Sequence, residues 1–500
     1  MKKTLLTISI IFQWISFSFS QQYEINVVKT FSGQFGSNFQ SFIEANGKLY
    51  FSTPEPNYGQ ELWVSDGTTS GTDIVSDIIP GNYGTGAYAI TSFDGKIFFS
   101  GDSPQHNNTY GMYVSDGTEA GTTFFHKFNA TGHDFISTMK VVNDKLYIIA
   151  TDTESDYSLF VLDNSSAVPY KLKDINPTGN DGVSLPVSLN NTLFFFANDG
   201  INGQQLWSSD GTEAGTALFK IINQNTVNSN ADIISYENYI YFSAIDANGK
   251  YQLWKSDGTE NGTQLFKTTD TQYPLYGNHL NLIYNGKLYF TLESTTTGVT
   301  GKDIWVTDGT ENGTHLFYSP FTEGHNSIDF LLEYDNKLVF SFYNYIWSND
   351  YYILDYRLNI SDGTTAGTEL MDIVNLPSFM VNTYPKAAVL NNELYIEGYL
   401  NEGKGALYKI TPSTLNLSSI ELEDLIVYPN PTLGDFTINF GRELTNVVIS
   451  ISDLTGKIIL EKQFPSTIQE NFSITGQAGM YLVNIKSEQG TSTKMILKNK

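Results

Sequence analysis

Leu62-Trp63-Val64-Ser65-Asp66-Gly67-Thr68, followed by Gly71-Thr72, is one copy of a segment that returns through most of this 500-residue chain. It recurs as Met112 to Thr118, Leu206 to Thr212, Leu253 to Thr259, Ile304 to Thr310 and Leu358 to Thr364. Two worn copies fill the gaps, Leu159 to Ser165 with Asn164 in the glycine place, and Leu407 to Thr411. The aspartates at 66, 116, 163, 210, 257, 308 and 362, with Thr411 in the eighth place, are spaced by 50, 47, 47, 47, 51, 54 and 49 residues, the period of a propeller blade.

A second motif keeps the same period. The turn pairs Asn46-Gly47, Asp94-Gly95, Asn143-Asp144, Asn190-Asn191, Glu237-Asn238, Asn285-Gly286, Asp335-Asn336 and Asn391-Asn392 each precede an aromatic or aliphatic run. Most of these residues tolerate positive φ, which a type I′ hairpin needs at both central positions. Four strands are read in the first repeat: Gln40 to Ala45, Lys48 to Ser52, Glu61 to Ser65 and Thr72 to Ile78. Runs such as Leu49-Tyr50-Phe51 are apolar on both faces, as in sheets packed between two neighbours. A solenoid would need capping units, and the repeat offers none. Residues 29–36 line up with 77–84, the fourth strand and exit loop of the first repeat, and residues 384–411 supply three strands, so 24–31 are expected to complete the last blade and leave no free edge. The predicted fold is all-β: an eight-bladed β-propeller over 21–411, followed by a small Ig-like β-sandwich.

The ends and the composition bound the rest. Residues 1–20 have the basic start, apolar run and small closing residues of a signal peptide, too short to span a bilayer. Removing them takes the formal charge from −25 to −27, which repels nucleic acid and anionic lipid. With no cysteine, neither disulfides nor thiolate metal sites are available. The six histidines lie at no metal-ligand spacing, and no phosphate loop or nucleophile elbow is found. No catalytic residue and no metal is assigned. The alternative to a binding protein is a secreted glycan-active enzyme whose carboxylates meet in the propeller channel.

Asp66, Asp116, Asp210, Asp257, Asp308 and Asp362 are read as structural turn residues, each bonding to backbone near the following threonine. Calcium is the competing use of these loops, but it wants six to eight oxygens and each loop has one reliable acid, so no cofactor is expected. These hairpins join third to fourth strands, on the face opposite the one where propellers usually carry sites. In the seventh repeat the link between second and third strands swells to residues 343–352, read as a loop. Its Tyr343, Tyr345, Trp347, Tyr351 and Tyr352, beside Asn and Asp, are the candidate ligand contacts for a glycan or protein.

As a whole, the array over 24–411 resembles the hyalin-type repeats of secreted Bacteroidetes-type proteins, a resemblance that implies no chemistry. After a linker at 412–425 the period stops. Tyr428-Pro429-Asn430-Pro431 with Gly434, then Asp453, Gly456 and Lys457, then Gly479, Tyr481 and Val483, and a basic final strand follow in that order. They punctuate some seven expected short strands over 426–500. This set resembles the type A sorting domain of type IX secretion. The resemblance implies that the export machinery is the partner of these residues, and that the product is secreted or attached to the cell surface.

Overall fold

The computed structural model describes residues 22–32, 41–103, 109–129, 135–153, 156–222, 233–246, 248–271, 281–293, 301–319, 326–348, 351–374, 386–400, 404–413, 425–453, 457–487 and 490–499. Two compact units result, one spanning Glu24–Thr411 and the other holding Pro412–Lys500. The signal-peptide reading of 1–20 and most of the linker at 412–425 lie outside the described residues.

The larger unit is all-β. In chain order it forms seven four-stranded antiparallel sheets, each from consecutive strands, and an eighth, five-stranded sheet. The first sheet shows the local logic: Phe42–Ala45 turns back at Asn46-Gly47 into Lys48–Glu55, which pairs with Gly59–Ser65 and then Asp73–Ile74. Asn46 and Gly47 sit at φ of 53° and 71°, and Asn143 and Asp144 at 48° and 58°, the left-handed conformations that a tight hairpin with right-handed twist demands. The fourth strand is shorter than the expected Thr72 to Ile78. Trp63 pairs with Ile74 and Val64 with Asp73, and the Val75 N–H adds one bond of 2.8 Å to the Leu62 carbonyl before the chain leaves the edge for the next sheet.

Each sheet buries both faces against its neighbours. Tyr50 and Leu62 of the first sheet pack with Ile97 and Phe99 of the second. Phe98 meets Leu146 and Ile148, Tyr147 meets Leu193 and Phe195, Phe194 meets Ile240 and Phe242, Tyr241 meets Leu288 and Phe290, and Tyr289 meets Leu338 and Phe340. Tyr334 of the seventh sheet donates to the Ile410 carbonyl of the eighth at 3.0 Å. The eighth packs on the first through Tyr395, Leu407, Leu49 and Trp63. This explains why second strands are apolar without alternation: neither face meets water.

In the eighth sheet Gln22–Thr30 lies between Lys404–Pro412 and Asp372–Val374. The N-terminal segment is therefore not the outer strand. A three-residue strand from the link that follows the seventh sheet covers its far edge, so its backbone groups are paired on both sides.

The smaller unit has five strands among the described residues, fewer than expected. Asp435–Asp453 runs for 19 residues and Ile458–Ser473 for 16. The longer one pairs with Ile426–Tyr428, Ile458–Ser473 and Gly479–Ser487, and Gly490–Lys498 closes the far edge. It can serve several partners because its register slips between Asn439 and Leu444, where Gly441 takes a φ of 68°. Phe436, Ile438, Phe440, Leu444, Val447, Ile449 and Ile451 bury the inner phase on both sides of the slip.

Candidate functional site

The Asp-Gly-Thr hairpins are closed upon themselves. Asp66 Oδ1 accepts from the Thr68 backbone N–H at 2.9 Å and the Thr68 hydroxyl at 2.7 Å, and Thr68 Oγ1 accepts from the Gly71 N–H at 3.0 Å. Ser65 Oγ accepts the Gly67 N–H at 3.0 Å and lies 2.6 Å from Thr72 Oγ1, which donates to the Thr68 carbonyl at 2.6 Å. The same bonds to Asp116, Asp210, Asp257, Asp308 and Asp362 recur in the other copies. Donation by Thr68 holds the Asp66 carboxyl below its ordinary value, and the corresponding threonine does so for the other five. Sequence reasoning noted the second Gly-Thr but gave its glycine no role. A Cβ on Gly71, Gly121, Gly215, Gly262, Gly313 or Gly367 would collide with the carboxylate of its own loop. Its signal was the invariant spacing of five residues from each aspartate.

The candidate ligand contacts of the seventh sheet do not form a loop. Lys337–Ser348 and Tyr351–Ser361 continue as one long antiparallel hairpin. Its register pairs Tyr343 with Tyr356, Tyr345 with Leu354, Trp347 with Tyr352 and Ser348 with Tyr351. Tyr343, Tyr345, Trp347 and Tyr352 therefore share one phase of the pleat, and Tyr351 falls in the other. The loop reading failed because the aromatic and β-branched residues that dominate both arms, despite Asn344 and Asp355, extend the ladder.

Four carboxylates are buried among the described residues, Glu61, Asp181, Asp303 and Glu397, and the first two, with no exposed surface, hold backbone. Glu61 accepts the N–H groups of Ile79 at 3.0 Å and Thr85 at 2.9 Å, and the Thr85 hydroxyl. Burial pushes its carboxyl up to about 7 against these donors. Asp181 accepts from Ile175 at 3.1 Å, Asn176 at 2.6 Å and the Ser158 hydroxyl at 2.8 Å, and burial raises it to about 6. Asp156, Asp174 and Asp181 bring carboxylate oxygens within 4.8 Å of one another. The ammonium of Lys171 already sits beside them, 3.4 Å from Asp174 and 2.7 Å from Asp152. A cavity of about 230 Å³ opens between first strands of the third to sixth sheets, lined by Lys140, Val141, Val142, Val187, Ser188, Ile233, Ile234, Ser235 and Asn281, with no carboxylate.

In the smaller unit, the Tyr-Pro-Asn-Pro segment fastens the terminal strand. Asn430 donates from Nδ2 to the Met495 carbonyl at 2.8 Å and accepts the Leu497 N–H on Oδ1 at 2.9 Å. Thr432 adds backbone bonds of 2.8 Å to Leu497 and Asn499. The peptide bonds before Pro429 and Pro431 are cis, and Tyr428 closes the strand that pairs it with Thr437. Gly434 takes a φ of 138°, and a Cβ there would meet the Ile474 carbonyl at 3.1 Å. Asp453 accepts the Lys457 N–H at 3.1 Å, while Gly456 lies outside the described residues. Tyr481 and Val483 are core. A Cβ on Gly479 would meet open space, whereas one on Gly476, which the motif reading passed over, would strike the Tyr481 hydroxyl.

Residues 426–499 match the family described as the secretion system C-terminal sorting domain. The smaller unit is a type IX sorting domain, and the chain is exported by that route to the cell surface or extracellular space. Among the described residues no helix is long and apolar enough to cross a membrane. Among solved structures, the chain is similar to a prolyl endopeptidase at 12% identity and a TM-score of 0.46, covering 73% of this chain and 55% of that one. It is similar to puromycin hydrolase at 12% and 0.42, covering 74% and 61%. It is also similar to the β-propeller domain of the Trilobed protease from Pyrococcus furiosus at 12% and 0.39, covering 68% and 100%. This chain thus spans about half the length of the prolyl endopeptidase, and at such identities none of these activities transfers to it. No curated protein matches the chain.

Proposed function

We propose that residues 21–411 form an eight-bladed β-propeller that acts as an exported binding or adhesion module for a glycan or protein. A linker at 412–425 joins it to the sorting domain at 426–500, an Ig-like sandwich handled by the type IX machinery. The repeats are of the hyalin type and serve as scaffold that needs no metal, since their carboxylates are engaged within their own turns. The observation that carries the binding reading is the hairpin of the seventh sheet. Its two strands of 12 and 11 residues outgrow the seven of Tyr239–Ile245 in a regular repeat, and the excess is aromatic. Tyr343, Tyr345, Trp347, Tyr351 and Tyr352 offer rings of low side-chain entropy for contact with a ligand. Trp347→Ala, in the phase shared with Tyr343, Tyr345 and Tyr352, or Tyr351→Ala, in the other phase, should abolish retention on a polysaccharide or protein support that holds the wild type, according to which face of the hairpin meets the ligand, with the thermal midpoint unchanged. Retention equal to wild type in both variants would remove this hairpin from the site.

A further inference from the structure

Four aromatic rings of the second and third sheets form a continuous ladder at the end of the sheets that carries the links between second and third strands. Tyr110, near the start of Thr109–Ser115, has its ring centroid 5.8 Å from that of Tyr88, which begins Tyr88–Phe93, and the two rings meet edge to face at 74°. Tyr88 lies 5.7 Å from Phe135 at an interplanar angle of 32°, and Phe135 lies 6.0 Å from Tyr157 at 89°. Phe135 is 42% exposed and continuous with the partly exposed Tyr88, Tyr110 and Tyr157, so the apolar surface is a patch and not an isolated residue. Slack does not explain it: the Phe135 N–H donates to Thr151 Oγ1 at 2.8 Å, and its carbonyl accepts the Thr151 N–H at 3.0 Å. These bonds fix the backbone that carries the ring, and the Tyr88 and Tyr157 rings flank the ring itself. Tyr83, 85% exposed, stands in the loop leading into Tyr88, its carbonyl fixed by the Gln60 N–H at 3.2 Å. Beside Tyr157, Asn180 is pinned through Oδ1 by the Gly182 N–H at 2.7 Å, which sets a carboxamide at the ladder's end.

We propose that this ladder is a platform for a neutral polysaccharide chain, a deepening that rests on the reading of the protein as an exported binding module. The exposed parts of aromatic rings pack against the C–H faces of sugars, and a contiguous row of rings across two sheets suits an extended polymer rather than one small molecule. A polyanion is disfavoured as the occupant, because a chain with a formal charge of −25 repels it, and the four rings and the Asn180 carboxamide themselves carry no charge with which to recognise an ionised sugar. Preset rings bind without ordering cost, which is what the two Thr151 bonds to Phe135 supply.

Affinity electrophoresis of the full mature chain through gels containing a neutral β-glucan, a neutral galactomannan or the polyanion alginate tests this. Retardation is expected in at least one neutral gel and not in alginate. The double variant Tyr110→Ala, Phe135→Ala should weaken it at least tenfold, while Phe135→Trp keeps the platform, retains binding and controls for folding. No retardation in either neutral gel, retardation by alginate alone, or retardation that survives the double variant overturns the proposal. If retention is lost only with Trp347→Ala, or the protein adheres only to protein-coated supports, the ladder falls and the binding module stands.

Discussion

Glu61 and Thr85, and Ser158 and Asp181, are one device with its partners exchanged. In the first sheet the acid sits on the third strand and the hydroxyl in the loop leading to the next sheet. In the third sheet the hydroxyl is on the strand and the acid in the loop. The Thr85 carbonyl accepts the Asp102 N–H at 2.7 Å and the Asp181 carbonyl accepts the Asn198 N–H at 2.7 Å, so the two loops are equivalent. The strand position is glutamine in the fourth and fifth sheets, where Gln205 and Gln252 accept from Ile222 and Thr269, each at 2.8 Å. A neutral acceptor therefore does the same work. Because burial raises Glu61 from 4.5 to about 7, the fold prefers its protonated form. That contribution is fully present below the unfolded value and is lost as pH rises to about 7, on the order of 3 kcal/mol at ~1.4 kcal/mol per pH unit. Glu61→Gln should raise the thermal midpoint at pH 8 and leave it almost unchanged near pH 4.5. A variant less stable than wild type at pH 8 would show that the anion is the form the fold holds.

At the scale of elements, the joint between the chain ends is the place where one strand carries most. Gln22–Thr30 enters the eighth sheet between strands from residues 404–412 and 372–374, and Val28 and Phe31 are buried in the core shared with the first sheet. Phe31 stands edge-on to Phe51 at 5.9 Å and to Trp63 at 5.3 Å. Lys29 adds a bond of 2.6 Å to the Thr72 carbonyl, and Thr69 donates to the Val28 carbonyl at 2.8 Å. The same lysine device recurs where Lys173 reaches the Thr216 carbonyl at 2.7 Å and Lys220 that of Thr263 at 2.8 Å. Deleting residues 24–31 should sharply lower the unfolding temperature, since it empties the middle of a sheet and exposes edges on both sides. Phe31→Ala alone should cost about 3–5 kcal/mol, the usual loss for a buried phenyl ring. Calorimetry checks both, and an unchanged midpoint for the deletion would mean that the first and eighth sheets hold together without it.

For the whole molecule, the prediction concerns delivery. A chain ending at residue 425 keeps its sheets but lacks the sorting unit, and it should accumulate in the periplasm; surface delivery equal to wild type, measured by protease accessibility on intact cells, would refute the assignment of export to residues 426–499. How much of this was legible beforehand follows the range of the interactions. Asn46-Gly47 and Asn143-Asp144 announce hairpins because φ is chosen by the residues that carry it, and the period of the repeat is counted without coordinates. The sorting motif is legible for the same reason, being short and ordered. The strand state of residues 343–348 and 351–352, the offset of five from each aspartate to its second glycine as a steric demand, and the fastening of the terminal strand by Asn430 were not, since each depends on where a distant or folded-over group comes to rest.

The sequence by itself determined the all-β character, the repeat and the export label, because local backbone preference and periodic apolar runs act within a few residues. Only tertiary structure decided that Asp372–Val374 covers the N-terminal strand, that Glu61 meets Thr85 across 24 residues, and that Tyr110, Tyr88, Phe135 and Tyr157 line up at one end of two sheets. Those contacts join segments whose separation along the chain carries no signal of their meeting. Burial between stacked sheets, which acts on whatever surfaces the closed array brings together, selects them.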